Sequence, residues 1–221
     1  MHKRESQMTK VTELNLFPIP LYKIRVTNHE KIKKYLMDHV YPVYVKRGPN
    51  DPIQNTFTDY GFTADAAFCN WDYLNKLYKD DFIDLLQSTG INLAKHPWQI
   101  KLKGWYNFTN QNTAQFLHDH TGGPSLITFS AVHYVVLSDN SLPTVFKNPS
   151  MKYIRSVTPT KNLDYLPSYF FNFDNIPDCV EGDMIMFPSW LDHYVPQHIN
   201  GNLRVTTAFN IMMRVDDGDG N

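Results

Sequence analysis

The chain has 221 residues, two cysteines and a formal net charge of −1. That length suits one domain whose core needs no disulfide or structural metal, and the near-neutral charge provides no field to draw in nucleic acid or an anionic membrane. Cys69 and Cys179 are too few for a disulfide framework or a cysteine zinc site, and no run reaches the ~18 apolar residues of a membrane span. With no apolar leader at its start, the expectation is a soluble cytoplasmic protein with both thiols free.

"LFPIPLYKIRV" (16–26) reads as a strand entered through two prolines, which are tolerated at a strand start or edge. "HEKIKKYLMDHV" (29–40) places Ile32, Tyr35, Leu36 and Val40 at helical spacing. Residues 41–70, rich in Pro, Asn, Asp and Thr, read as irregular. "NWDYLNKLYKDDFIDLLQSTG" (70–90) is the clearest helix, with Asn70 as N-cap, Gly90 past its end and a stripe of Leu74, Leu77, Tyr78, Phe82 and Leu85. From residue 97 the chain turns β-rich: "WQIKLKGWYNFT" (98–109), "SLITFSAVHYVVL" (125–137), "PTVFKNP" (143–149), "GDMIMFP" (182–188) and "LRVTTAFNIMMRV" (203–215). Helices followed by antiparallel strands predict a mainly β single domain, a sandwich or jelly roll braced by N-terminal helices. The N-terminal strand and bracing helices then occupy 1–96, the jelly-roll core 97–215, and an acidic tail 216–221.

Nine histidines occur in the chain, and "FLHDHTGG" (116–123) sets two of them one residue apart. In a strand, residues i and i+2 share a face, so His118 and His120 can present two imidazoles to one ion. The alternative is a loop pair bonded to backbone carbonyls. A third ligand is available in "EGDMIMFPSWLDHYVPQH" (181–198): a turn, a buried strand ended by Pro188, then His193 on the connection to the next strand. His198, past Pro196, reads as a surface-loop histidine. On the last strand Arg204, Thr206, Ala208 and Asn210 share one face. An arginine with a hydroxyl beside it is a natural fork for a carboxylate, the alternative being an edge arginine in solvent.

"HDH", "FSAVHYVVL", "PTVFKNP", "EGDMIMFPSWLDHYVP" and "LRVTTAFNI", in that order, resemble the iron(II)- and 2-oxoglutarate-dependent oxygenases, in particular a short branch found in phages and bacteria. The resemblance covers roughly 97–212, and "LFPIPLYKI" is similar to that branch's N-terminal strand. It implies a double-stranded β-helix (jelly roll) and a dioxygenase that takes Fe(II), 2-oxoglutarate as cosubstrate and dioxygen, with hydroxylation as the default outcome. By position it makes His118, His120 and His193 the metal ligands and catalytic residues. It makes Arg204 the residue that grips the far carboxylate of 2-oxoglutarate, with Thr206 its helper. Tyr134 resembles the tyrosine that completes that pocket, and Asn107, sharing a face with Trp105, a polar residue near the cosubstrate. Ser130 and Val132 share the face of Tyr134, whereas His133 points the other way and reads as a packing or supporting histidine.

The pattern departs from the family's in one place. Most of these enzymes use two histidines and one carboxylate. Here the i+2 position is His120, and Asp119 lies between, turned away by strand alternation. Asp119 becomes the alternative ligand only if the backbone leaves the strand at Leu117. Three imidazoles leave the site with more positive charge than the usual triad. Two other classes stay open: a cupin-like metal protein without 2-oxoglutarate, which Gly123 and Pro124 oppose by standing where a cupin supplies glutamate, and a non-catalytic structural jelly roll. The substrate, a small molecule or a protein side chain, and the oligomeric state are open; the lack of a basic surface argues against nucleic acid. A phage-encoded chain would work in the host cytoplasm.

Overall fold

The computed structural model describes residues 19–61, 68–110, 112–121, 126–138, 141–150, 174–198 and 202–215. The acidic tail, Gly123, Pro124 and the first three residues of "LFPIPLYKIRV" lie outside them. The elements run β1 (Tyr22–Arg25), α1 (His29–His39), α2 (Tyr41–Arg47), β2 (Phe57–Thr58), α3 (Trp71–Ser88), β3 (Trp98–Thr109), β4 (Thr113–His118), β5 (Ile127–Val136), β6 (Val145–Lys147), β7 (Asp174–Asn175), β8 (Asp183–Pro188), β9 (His193–His198) and β10 (Arg204–Val215). They form an antiparallel six-stranded sheet, β1-β8-β5-β10-β3-β2, and a smaller antiparallel sheet, β4-β9-β6-β7. This is the expected double-stranded β-helix.

Strand alternation divides the large sheet between two cores. On its helix side, Ile32 and Leu36 of α1 and Leu74, Tyr78, Phe82 and Leu85 of α3 bury against Phe108, Val205, Phe209 and Ile211. The other core lies between the sheets, where Tyr134, Ile185 and Phe187 meet Phe146 of the small sheet. The two cysteines are free and belong to different sides: Cys179 in the inter-sheet core, Cys69 packed on the helix-side one. Among the described residues no helix is long and apolar enough to cross a membrane.

The expected helix over 70–90 starts as read, with the Asn70 side chain accepting the Tyr73 N–H at 3.0 Å. Three expectations need correction. Residues 41–70 are not all irregular: α2 begins there with Pro42 in its first turn, where the missing N–H costs nothing, and ends at Gly48, whose φ of 72° suits glycine. Among the described residues the N-terminal strand spans Tyr22–Arg25. His193 does not sit on a connection but opens β9, a strand that tolerates Pro196 because β6 pairs only as far as Tyr194 and the register with β4 is irregular around Pro196.

His133 points to the helix side, as its parity predicts. Its Nε2 lies 3.1 Å from His29 Nδ1 of α1, and its Nδ1 lies 2.6 Å from the Tyr78 hydroxyl, which in turn meets Thr207 Oγ1 at 2.7 Å. Burial pushes His133 well below the usual histidine range and lowers His29, against the opposing pull of Glu30 and Glu181. An unfolded histidine titrates near 6.5, so below that pH the unfolded chain binds protons that the folded chain refuses, and stability is lost as pH falls. Replacing His133 with leucine should cost about 1–3 kcal/mol at pH 7.5, because partners are left unpaired, and should flatten the loss on going to pH 5.5. Denaturant midpoints at the two pH values test this; parallel pH dependence in both proteins would contradict it.

Candidate active site

Between the sheets lies a cavity of about 590 Å³. Its floor is the inner face of β10, where Arg204, Thr206, Ala208 and Asn210 follow one another at two-residue spacing. The register places Thr206 between Tyr134 of β5 and Asn107 of β3, and Asn210 opposite Ser130. Asn107, Trp105, Ser130 and Val132 line the same cavity, so the parity read from the sequence places these residues correctly. Tyr134 does not line it. Thr58, Tyr60, Asp51 and Gln54, from the segment read as irregular, wall its mouth together with Phe116.

At one end stand the three histidines, and one ring nitrogen from each lies within 4.8 Å of the other two. Register explains two of them, because His118 on β4 pairs directly with His193 on β9. Their rings lie 4.3 Å apart, centroid to centroid. His120 does not continue the strand as expected. β4 ends at His118, and His120 sits in the bend beyond it, anchored by its N–H to Ser189 O at 2.9 Å and stacked on Trp105. Its convergence with the other two therefore comes from tertiary bonds and not from strand alternation.

Each ring has an oxygen at Nδ1: Phe116 O at 2.7 Å from His118, Leu191 O at 2.8 Å from His193, and Asn210 Oδ1 at 2.5 Å from His120. A carbonyl oxygen can only accept, so Nδ1 carries the proton in all three and the Nε2 lone pairs are left to bind. Burial, reinforced by the neighbouring His118, takes His193 down to about 3, and burial lowers His120 as well. Neutral imidazoles of this tautomer are what a divalent transition metal takes. Asp119 is not in the group. It is exposed, and its Oδ1 accepts the Thr121 N–H at 2.8 Å and the Thr121 hydroxyl at 2.7 Å, bonds that hold its carboxyl below the usual range.

Arg204 is buried, with 3% of its surface exposed, and its Nε has no hydrogen-bond partner among the described residues. The guanidinium carbon lies 5.8 Å from the centroid of the Tyr134 ring. The Tyr134 hydroxyl accepts the Thr144 N–H at 3.0 Å, and burial pushes its pKa up to about 12. A desolvated cation lacking a full set of acceptors suits a carboxylate ligand. The donor sets at both ends thus fit a metal and a dicarboxylate. His198 ends β9, opposite Thr113, five residues from His193. Sequence reasoning placed Asn210 on the right face but gave it no task; its bond to His120 spans 90 residues and has no local signal.

A family model described as "Putative 2OG-Fe(II) oxygenase" matches residues 103–210. No curated protein matches the chain. Among solved structures, a prolyl-4-hydroxylase from Pseudomonas putida aligns with TM-score 0.54 at 9% identity, covering 89% of this chain and 94% of that one. A Trichoplax adhaerens prolyl hydroxylase in complex with a peptide fragment of a hypoxia inducible factor aligns with TM-score 0.54 at 10% identity, covering 87% and 83%. HygX from Streptomyces hygroscopicus, with nickel and 2-oxoglutarate bound, gives 0.52 at 13%, covering 88% and 82%. The chain spans only 55% of the length of a Burkholderia pseudomallei oxidoreductase of the 2OG-Fe(II) oxygenase family, to which it is 14% identical with a TM-score of 0.43. The three likenesses with TM-scores above 0.5 support the fold, and the segment that matches the 2OG-Fe(II) oxygenase family model, residues 103–210, takes in the three histidines and the whole cavity floor.

Proposed function

We propose that the chain hydroxylates a small molecule or a protein side chain, with iron(II) held by Nε2 of His118, His120 and His193 and 2-oxoglutarate held at its far carboxylate by Arg204. The observation that carries this reading is the pairing, in one cavity, of a neutral three-imidazole group with a buried arginine whose Nε is unpartnered. When bound, iron(II) with dioxygen and 2-oxoglutarate supplies the oxidation: the oxoacid leaves as succinate and carbon dioxide, and a substrate C–H becomes C–OH. Everything else falls to the chain. Thr206 and Asn107, side by side on the floor, offer a hydroxyl and a carboxamide to the cosubstrate. Tyr134 backs the guanidinium and limits its travel.

The walls bear on the substrate. Apart from Arg204, the only fully charged residues lining the cavity among the described residues are Asp51 and Asp119, and neither offers a partner to a polyanion. Tyr60 and Trp105, 4.8 Å apart between centroids, and the exposed Phe116 give apolar contact near the metal end. That lining suits an uncharged or weakly polar group, and prolyl hydroxylases and HygX share the fold.

Succinate formation from 2-oxoglutarate under air, with added iron(II) and a metal-free control, tests the reading. Turnover without added substrate is expected to be slow but metal-dependent. His120→Ala should abolish it and Asp119→Ala should leave it within a few-fold. Loss with Asp119→Ala alone would make the aspartate the third ligand; no succinate from well-folded, iron-loaded protein would leave the cupin-like or structural classes.

A further inference from the structure

His118 and His193 are placed by strand register and have their Nδ1 protons fixed by carbonyls two residues back in their own segments. His120 has neither support. It lies past the end of β4, and the acceptor for its Nδ1–H comes from a different sheet: the side chain of Asn210, 94% buried, at 2.5 Å. Asn210 is itself oriented. Ser130, its cross-strand neighbour on β5, donates its hydroxyl to the same Oδ1 at 3.3 Å, a second bond on the oxygen that faces the imidazole. Trp105 restrains the ring from its face, with planes 24° apart.

We propose that Asn210 is a positioning residue for the third metal ligand: it holds His120 as the Nδ1–H tautomer, turns Nε2 toward the other two imidazoles, and so makes a histidine outside the strand serve where the related enzymes place a carboxylate. The inference rests on the oxygenase reading only for the use of the metal; the tautomer is a property of the chain alone. An oxygen acceptor is essential to it. A neutral imidazole in water favours the other tautomer, so without Asn210 the lone pair of His120 is presented at the wrong nitrogen for part of the time.

The experiment compares wild type, Asn210→Leu and Asn210→Asp in two readouts. Long-range proton–nitrogen NMR of the metal-free protein reports the tautomer of each histidine. His120 should be Nδ1–H in wild type and in Asn210→Asp, and should shift toward Nε2–H in Asn210→Leu, with His118 and His193 unchanged. Anaerobic titration with cobalt(II), followed by its visible absorption, should show affinity falling about 10- to 100-fold in Asn210→Leu and recovering in Asn210→Asp. A purely packing role predicts the opposite ranking, since leucine matches asparagine in shape and a buried carboxylate is the harsher change. An unaltered His120 tautomer and unaltered cobalt affinity in Asn210→Leu would overturn the proposal while leaving the oxygenase reading intact. Cobalt binding that follows the predicted order in a protein that makes no succinate would uphold the role of Asn210 and sink the oxygenase reading. A wild type that binds no cobalt overturns both.

Discussion

Arg204→Met is expected to weaken 2-oxoglutarate binding about 10²-fold or more, or about 2.7 kcal/mol, while changing iron affinity little. The guanidinium lies in the inter-sheet core with 3% exposure, so its hydrogen bonds to a carboxylate form out of competition with bulk water. Methionine keeps much of the stem volume, so Thr206 and Thr109 on either side should hold their places. The stability of the ligand-free protein gives a second, independent reading. A buried cation with an unpartnered Nε is a burden to the fold, and burial already lowers its proton affinity. Arg204→Met should therefore unfold at the same temperature as wild type or higher when no cosubstrate is present. Added 2-oxoglutarate should raise the midpoint of the wild type far more than that of the variant. The binding readout is the weak visible absorption of iron(II) chelated by 2-oxoglutarate, titrated anaerobically. Equal affinity in the two proteins would remove Arg204 from the pocket. A variant that is less stable without ligand would make the arginine a structural member of the core.

What the sequence discloses here depends on how local each cause is. The floor of the cavity is legible because alternation is a property of the strand itself: once β10 is recognised, Arg204, Thr206, Ala208 and Asn210 must share a face. The same parity separates Tyr134 from His133 on β5 and sends them to opposite cores. The α3 helix is legible because its cap and apolar stripe lie within one segment. The small sheet is legible only in part, β6 falling inside "PTVFKNP": its strands are short, β9 carries Pro196, and β4 and β9 pair residues as far apart in the chain as His118 and His193. Pro42 is among the residues that make 41–70 read as irregular, although it occupies the first turn of α2, the position where a helix accepts it. The histidine pair shows both sides of this. Its spacing alone suggested a ligand pair, but the stated reason, two residues on one strand face, fails at the strand end. The bonds that bring His120 round, from Ser189 and Asn210, are long-range and leave no mark on the residues beside it.

His193→Ala should abolish stoichiometric metal binding in a chain that still folds. His193 is the most enclosed of the three imidazoles, 4% exposed, and it stands at the meeting of β4, β6 and β9, paired with His118 on one side and with Phe146 on the other. A metal held by three ring nitrogens loses its most rigid support when this one goes. Outer partners alone account for 10- to 100-fold in affinity at such sites, so removal of a direct ligand should exceed about 10²-fold. The folding cost is bounded. Alanine leaves a cavity beside Phe187 and Phe146, but it also removes a histidine whose affinity for protons is depressed to about 3, and with it a source of acid destabilisation below pH 6.5. Circular dichroism at pH 7.5 should thus show a folded protein, and the variant should lose less stability than wild type on going to pH 5.5. Metal analysis after anaerobic loading and gel filtration supplies the decisive number, with His198→Ala as the control that should retain one metal per chain. Full stoichiometry in a folded His193→Ala protein would exclude this residue from the site. Loss in His198→Ala with retention in His193→Ala would move the third element of the metal centre to the far end of β9, away from the cavity that Arg204 shares with His118.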